Sequence, residues 1–119
     1  MKKAYYARPI SIDGTKQETR DKELIASIGF EPYPVGEEKE TAIVAYKEKG
    51  MEAFKPYVES SDCLVFRSFP DGSIGAGVAI EIEWAIASGI PVIEIPRQIK
   101  RRTISVDDTR EMLRELGSR

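Results

Sequence analysis

The stretch from Cys63 to Ala85 most constrains the fold, because a strand, a glycine-rich turn and a helix follow one another there. The apolar run Cys63-Leu64-Val65-Phe66 predicts a short buried strand at residues 63–67. The helix is predicted at residues 77–88 and ends at Gly89, where a C-terminal cap belongs. A strand that passes directly into a helix is the repeating unit of folds with parallel sheets.

The same alternation runs through the rest of the chain. Further strands are predicted at residues 3–7, 30–35 and 91–95, with an edge strand near Thr103. Helices are predicted at residues 15–28, 40–49, 56–60 and 105–116, and a charged turn at residues 36–39. We therefore expect a single α/β domain spanning residues 1–119, a flavodoxin-like or Rossmann-like three-layer sandwich. Its parallel sheet would have four or five strands, beginning in the order 2-1-3-4.

Ligands of such sheets bind at the carboxyl ends of the strands, where the strand order reverses. That rule brings the loop at residues 7–14 beside the loop at residues 68–77. Arg8 and Ser11 in the first loop are candidates for contacts to a phosphate, as is the basic segment at residues 97–102. The substrate-binding candidates of the second loop are Asp71, Ser73, Gly75 and Gly77.

Glu81 lies one turn into the helix that follows the glycine-rich turn. Its helical neighbours are all small, namely Gly77, Ala85 and Ser88. The nearby helix N-terminus favours the ionised carboxylate by up to about 1 kcal/mol. An uncrowded, ionised carboxylate is suited to be a nucleophile. The alternative is a solvated glutamate on an amphipathic helix, and Glu83 is expected to be such a surface residue.

The composition excludes several kinds of chemistry. The 119 residues contain no histidine, so Ser-His-Asp and Cys-His mechanisms are impossible and a zinc site is not expected. The single cysteine cannot form an intrachain disulfide. The glycines from Gly72 to Gly77 fit neither the dinucleotide fingerprint nor a P-loop, since the required third glycine and lysine are missing.

The net charge and the hydropathy of the sequence limit which partners and which cellular compartment are expected. A formal net charge of −2 gives no general attraction to a nucleic acid polymer or an anionic membrane. No apolar run has membrane-spanning length, and the first residues lack the apolar core of a signal peptide. We expect a cytoplasmic protein that acts on a small molecule.

Four ordered motifs in residues 3–95 resemble the nucleoside 2-deoxyribosyltransferase superfamily, which includes the 2′-deoxynucleoside 5′-monophosphate N-glycosidases. The central one is Gly77-x-x-x-Glu81-x-x-x-Ala85, followed by Gly89-x-Pro91-Val92-Ile93. The other three are Tyr5-Tyr6-Ala7-Arg8-Pro9, Gly29-Phe30-Glu31-Pro32-Tyr33 and Ser61-Asp62-Cys63-Leu64-Val65.

The resemblance implies cleavage or exchange of the N-glycosidic bond of a nucleoside or its 5′-monophosphate. In that family a helix glutamate, here Glu81, attacks C1′ of the sugar and forms a covalent glycosyl-enzyme, which water or a second base resolves. Tyr5 would orient this carboxylate. The resemblance implies no metal and no organic cofactor. It also implies a homodimer or higher homo-oligomer, with Trp84 and the C-terminal helix as interface candidates.

The sequence departs from the family at two positions. The family's aspartate, six residues before the nucleophile, is replaced by Gly75, with Asp71 and Ser73 as possible substitutes in the same loop. Phe54 stands where the family has an acid before the third strand. Two acids nearby in the sequence are displaced candidates for that role: Glu52 and Glu59.

Two other functions therefore stay open. The first is a nucleotide-binding or sensing module that has this fold without the chemistry, which the replacements at Gly75 and Phe54 favour. The second is a response-regulator-like interaction domain. This last class has paired acids after its first strand, whereas Ala7-Arg8-Pro9 stands there in this chain.

Overall fold

The computed structural model describes residues 2–95 and 105–115. Its strands are β1 (Lys2–Ala7), β2 (Phe30–Tyr33), β3 (Cys63–Phe66) and β4 (Val92–Glu94). Its α-helices are α1 (Lys16–Ser27), α2 (Gly36–Lys49), α3 (Lys55–Glu59), α4 (Ala76–Ala87) and α5 (Val106–Glu115). Two short 3₁₀ segments lie at Ile10–Ile12 and Gly50–Phe54.

The four strands form one parallel sheet in the order β2-β1-β3-β4. Tyr5 of β1 lies in register with Tyr33 on one side and Leu64 on the other. The predicted α/β class and the predicted strand order are confirmed. The predicted edge strand near Thr103 and the basic segment at residues 97–102 lie outside the described residues.

Alternate residues of β1 enter two different cores, because successive strand side chains point to opposite faces of the sheet. Ala4 and Tyr6 pack with Ile25 of α1 on one face, which we call the α1 face. Tyr5 and Ala7 pack on the opposite face, which we call the α4 face, with residues of α3, β3 and α4: Val58, Leu64, Val78 and Ala85. The two cores give the sandwich its three layers.

Helix α1 begins and ends where the sequence predicts. The Thr15 side chain caps it by accepting a hydrogen bond from the Glu18 backbone N–H, at 3.4 Å. The helical spacing of Leu24, Ile25 and Ile28 predicts that these three residues form the apolar stripe of the helix. This prediction is wrong in part, since Ile25 is buried whereas Leu24 and Ile28 are largely exposed. The reason is that the buried side of α1 also carries two acids, Glu18 and Asp21, which have partners inside the protein.

Helix α2 differs from its prediction, because residues 36–39 form its first turn and not a separate charged turn. Acidic side chains in a first helical turn are favoured by the helix dipole, and Glu37 and Glu38 occupy that position here. Ala42 is the buried residue of this helix, while Ile43 and Val44 are largely exposed.

The remaining elements agree closely with the predicted boundaries. Helix α4 follows Gly75 and ends before Gly89, whose φ of +72° suits a glycine. Of the apolar positions predicted for α5, Leu116 and the side chains of Met112 and Leu113 lie outside the described residues. No helix in ranges 2–95 and 105–115 has the length and apolar character needed to cross a membrane.

Candidate active site

Tyr5 and Glu81 form a buried pair between the sheet and α4. Strand alternation turns Tyr5 towards α4, and Glu81 lies one turn into that helix, so the two side chains meet. The Tyr5 hydroxyl donates a short hydrogen bond to Glu81 Oε2. Tyr5 is 4% exposed and Glu81 is 6% exposed. The sequence alternative of a solvated glutamate is therefore wrong.

Burial controls the ionisation of this pair. Desolvation raises the pKa of Glu81 to about 7, although the Tyr5 hydrogen bond and the charge of Arg8 lower it. The pKa of Tyr5 is raised well above its usual range, first by burial and then by the Glu81 charge. The expectation of an ionised Glu81 favoured by the helix N-terminus is thus corrected, because desolvation outweighs that small effect. Near neutral pH both protonation states of Glu81 are populated.

The pair lies in the wall of a cavity of about 660 Å³. This volume is within the range of small-molecule sites. The cavity is bounded by the end of β1 and the loop after it, by one side of α2, and by the start of α4. Of the residues named from the sequence, it brings together Tyr5, Arg8, Gly75, Gly77 and Glu81.

One wall of this cavity is aromatic. The rings of Tyr46 and Phe54 are stacked with centroids 5.2 Å apart and planes 30° from parallel. Phe69 and Met51 also line the cavity, and both lie beside the glycines at the start of α4. A flat, apolar group of a ligand can pack on the aromatic rings of this wall.

One end of the cavity is charged. Arg8 Nη2 lies 2.5 Å from Asp13 Oδ1 and 3.6 Å from Glu18 Oε2. The same Asp13 oxygen lies 3.9 Å from Lys39 Nζ of α2. Glu18 is in turn paired with Lys22 at 3.1 Å. Arg8, Asp13 and Lys39 all line the cavity, so cations and a carboxylate meet at this end.

Three predicted substrate-binding residues lie elsewhere. Ser11, Asp71 and Ser73 are exposed and do not line the cavity. Asp71 Oδ1 instead accepts hydrogen bonds from the Ser73 backbone N–H and hydroxyl, at 2.9 and 2.6 Å, which makes a local turn. These residues therefore do not take the place of the family's missing aspartate at Gly75.

Glu52 and Glu59, the displaced candidates for the family's acid, are also exposed and outside the cavity lining. Phe54, which replaces the family's acid by sequence, does line it. Among the described lining residues the carboxylates are Asp13 and Glu81. The position that was expected to hold an acid thus belongs to the aromatic wall.

The glycines at the start of α4 give room to neighbours other than Glu81. A Cβ on Gly77 would lie 3.4 Å from Met51 Cε, and one on Gly75 would lie 3.7 Å from Phe69 Cε2. The sequence interpretation that they clear space for Glu81 is therefore replaced. At both positions an added Cβ would make an ordinary van der Waals contact with a side chain of the cavity wall.

Sequence reasoning missed the contribution of α2. Five of its residues line the cavity at helical spacing: Lys39, Ala42, Ile43, Tyr46 and Lys47. Their positions i, i+3, i+4, i+7 and i+8 form one side of a helix. The helical spacing of these residues is visible in the sequence, but lysines lie at both ends of the set, so the spacing marks no apolar face. Only the packing shows that this side of α2 borders a cavity.

A second buried carboxylate lies on the α1 face of the sheet. Asp21 is fully buried and accepts hydrogen bonds from Arg67 Nε and Nη2, both at 2.6 Å. The Tyr6 hydroxyl and Gln17 Nε2 donate to it as well, at 2.5 and 2.9 Å. Sequence analysis did not identify this group, because its four residues are scattered between positions 6 and 67.

No protein-family model, curated protein or solved structure matches this chain. Within the described ranges, no three metal-ligating side chains are grouped so as to hold a metal ion.

Proposed function

We propose that this protein cleaves or exchanges the N-glycosidic bond of a nucleoside or nucleoside 5′-monophosphate, with Glu81 as the nucleophile. The observation that carries the proposal is a buried carboxylate, held by one tyrosine, in the wall of a nucleotide-sized cavity. The sequence resemblance to the nucleoside 2-deoxyribosyltransferase superfamily supports the same chemistry.

Glu81 is suited to attack the anomeric carbon. One carboxylate oxygen would bond to C1′ while the C1′–N bond breaks and its electron pair leaves with the base. The resulting glycosyl ester would then be opened by water or by the nitrogen of a second base. The raised pKa makes the ionised carboxylate more basic and hence a stronger nucleophile than an exposed glutamate.

Tyr5 is suited to position this nucleophile. Its hydroxyl binds Oε2 of Glu81 and fixes the rotation of the carboxylate inside a buried site. Because the Tyr5 pKa is raised, the phenol stays protonated and remains a donor across the working pH range. The bond also favours the ionised form of Glu81 that attacks.

The aromatic wall supports binding of the base. A nucleobase is planar and apolar on its faces, and the Tyr46–Phe54 pair offers rings for stacking. Phe69 adds a further apolar contact. The charged end, with Arg8 and Lys39, lies in the same cavity and suits the polar part of such a substrate.

The test is base release from a panel of deoxynucleosides, ribonucleosides and their 5′-monophosphates, followed by chromatography. We expect Glu81→Gln to reduce release by roughly 10³-fold or more, as for removal of a nucleophile. Glu83→Gln is the matched control, because Glu83 is an exposed glutamate on the same helix. Mass spectrometry of the acid-quenched wild type is expected to detect the glycosyl-enzyme. Undiminished release in Glu81→Gln would overturn the assignment of the nucleophile.

A nucleotide-binding or sensing module without catalysis is the second candidate. It is favoured by the exposed positions of Glu52 and Glu59, because neither candidate for the family's acid lines the cavity. Calorimetry with the same panel separates the two candidates. Binding of a nucleotide without release of any base would support the module and contradict the enzyme.

The oligomeric state and the cytoplasmic location also stay predictions. Trp84 is half-buried against the core of the α4 face, so it is only partly available for a subunit interface. We propose a homo-oligomer on the strength of the sequence resemblance alone. Light scattering of the purified protein tests this, and a monomer at assay concentration would contradict it.

A further inference from the structure

We propose that Asp13 occupies an anion site built from Arg8 and Lys39, and competes there with the phosphate of an incoming nucleotide. The inference rests on the proposed function for the identity of the substrate. The inference goes beyond the proposed function because it assigns Asp13 as an internal competitor of the phosphate. This competition sets the preference between a nucleoside and its monophosphate.

The geometry of one oxygen carries the proposal. Asp13 Oδ1 lies 2.5 Å from Arg8 Nη2 and 3.9 Å from Lys39 Nζ, so it bridges cations from β1's end and from α2. All three residues line the cavity that contains Glu81. A phosphate oxygen makes the same kind of bridge between basic side chains. The carboxylate therefore occupies the position that a phosphate oxygen would need.

Arg8 has a hydrogen-bond donor that does not bind Asp13. Its Nε is buried and has no hydrogen-bond partner, while Nη2 on the same edge of the guanidinium binds Asp13. Arg67 shows the filled arrangement, since both its Nε and its Nη2 bind Asp21. An anion with two free oxygens can satisfy both donors on such an edge. A phosphate would thus use a donor that Asp13 does not.

Asp13 is also the member of this cluster that can most readily move. Arg8 is held by the carbonyl of Tyr6, by stacking on the Tyr6 ring at 4.9 Å, and by Glu18. The Asp13 side chain is 48% exposed, and it precedes Gly14, whose φ is +75°. A phosphate that binds to Arg8 and Lys39 would therefore displace the Asp13 side chain and leave the two cations in place.

Charge makes the two occupants mutually exclusive. With Asp13 in place, the cations Arg8, Lys39 and Lys22 face the carboxylates Asp13 and Glu18, so most of the positive charge is neutralised. A phosphate added beside Asp13 would meet a like charge at close range, which is strongly unfavourable. When Asp13 withdraws, the three cations face only Glu18, and the site can accept the anion.

The test measures binding and needs no turnover. Inorganic phosphate is titrated calorimetrically into the full chain and into Asp13→Asn. We expect the variant to bind phosphate about tenfold more tightly, because the internal competitor loses its charge. Glu37→Gln is the charge-matched control from the exposed first turn of α2. It is expected to change the affinity less than about twofold, since exposed charges are screened by solvent and salt.

A second pair of variants checks the cations. Lys39→Gln is expected to weaken phosphate binding about fivefold or more, and Arg8→Gln in the Asp13→Asn background to abolish the gain. Unchanged or weaker phosphate binding in Asp13→Asn would overturn the proposal. So would an equal gain in Glu37→Gln.

Activity then separates this proposal from the proposed function. If base is released, Asp13→Asn should raise kcat/KM for monophosphates about tenfold relative to the parent nucleosides. An equal rise for both substrates would contradict the competition. If no base is released but Asp13→Asn binds phosphate more tightly than the wild type, the anion site is supported and the proposed enzyme function is contradicted.

Discussion

Adjacent residues of β1 make the same type of contact on opposite faces of the sheet. Tyr5 donates to Glu81 on the α4 face, and Tyr6 donates to Asp21 on the α1 face. Both carboxylates are buried. They differ in their other surroundings. Asp21 receives two further hydrogen bonds from Arg67 and one from Gln17, whereas Glu81 lines an open cavity.

This difference separates a carboxylate that is fully paired from one that is not. The guanidinium of Arg67 balances the charge of Asp21, and the hydrogen bonds to Asp21 raise the pKa of Arg67. Glu81 lacks a cation in direct contact among the described residues, and burial raises its pKa to about 7. A buried charge that is fully paired holds a fold together. One that is incompletely paired and accessible is a candidate for chemistry.

The largest expected effect comes from removing Asp21. Asp21→Ala leaves Arg67 as an unpaired buried cation, and we expect it to lower the free energy of unfolding by about 3–5 kcal/mol. Urea denaturation at pH 7 measures this. Glu81→Ala is the counterpart on the other face and should cost less, because the loss of the acceptor of the Tyr5 hydroxyl is offset by removal of an unfavourably buried carboxylate. Equal losses in the two variants would contradict the distinction between them.

Glu81 is expected to make stability fall as the pH rises. Folding raises its pKa from the ordinary value of 4.5 to about 7, so the folded state binds this proton more tightly. The stabilisation is fully present below pH 4.5 and is lost as the pH rises through 7, by about 3 kcal/mol in all. Glu81→Gln should lack this decline.

Urea denaturation at pH 5 and pH 8 measures the effect, with the exposed Glu83→Gln as the control that keeps the decline. If Glu81→Gln loses as much stability between these pH values as the wild type, the raised pKa is wrong. If the enzyme is active, its kcat/KM should rise with an apparent pKa near 7.

Removal of either tyrosine hydroxyl is expected to change the stability by a smaller amount. Tyr6→Phe should cost about 1–3 kcal/mol at both pH 5 and pH 8, because it removes a buried donor to a paired carboxylate. Tyr5→Phe removes the bond that lowers the pKa of Glu81, so its cost should appear at pH 8 and shrink at pH 5. Its activity profile should move to higher pH. If the stability cost of Tyr5→Phe depends on pH in the same way as that of Tyr6→Phe, the two tyrosines do not have different roles.

Gly77→Ala is expected to have the smallest effect on stability. The new methyl group would lie 3.4 Å from Met51 Cε, at the end of a flexible side chain, and alanine favours a helix by about 1 kcal/mol. The free energy of unfolding should change by less than about 1 kcal/mol. KM should change less than about twofold, because the new methyl group makes an ordinary contact with Met51 and leaves the cavity wall in place. A rise in KM of about tenfold would contradict this expectation.

Much of the fold was predictable because it depends on local pattern. The order 2-1-3-4 followed from strands alternating with helices, and the bounds of α1 followed from the helix predicted at residues 15–28. The errors arose where polar residues are buried or apolar ones are not. Leu24 is exposed and Asp21 is buried because the partners of α1 lie far away in the sequence.

The candidate site was predictable only in part. Glu81 and Tyr5 were identified by resemblance, and the structure joins them. Asp71 and Ser73 were chosen for their closeness to Glu81 along the chain, yet their loop folds on itself outside the cavity. Asp13 and Tyr46 were missed, because neither belongs to a motif and both reach the cavity through packing.

By itself the sequence determined the class of fold, the absence of histidine chemistry and the glutamate that follows the glycine-rich turn. Hydrophobic periodicity, composition and motif order are properties of a linear chain. Only the tertiary structure decided that Glu81 is buried with a raised pKa, whereas Asp21 is neutralised by Arg67. Desolvation and charge pairing depend on residues that are distant in sequence, and folding alone brings those residues together.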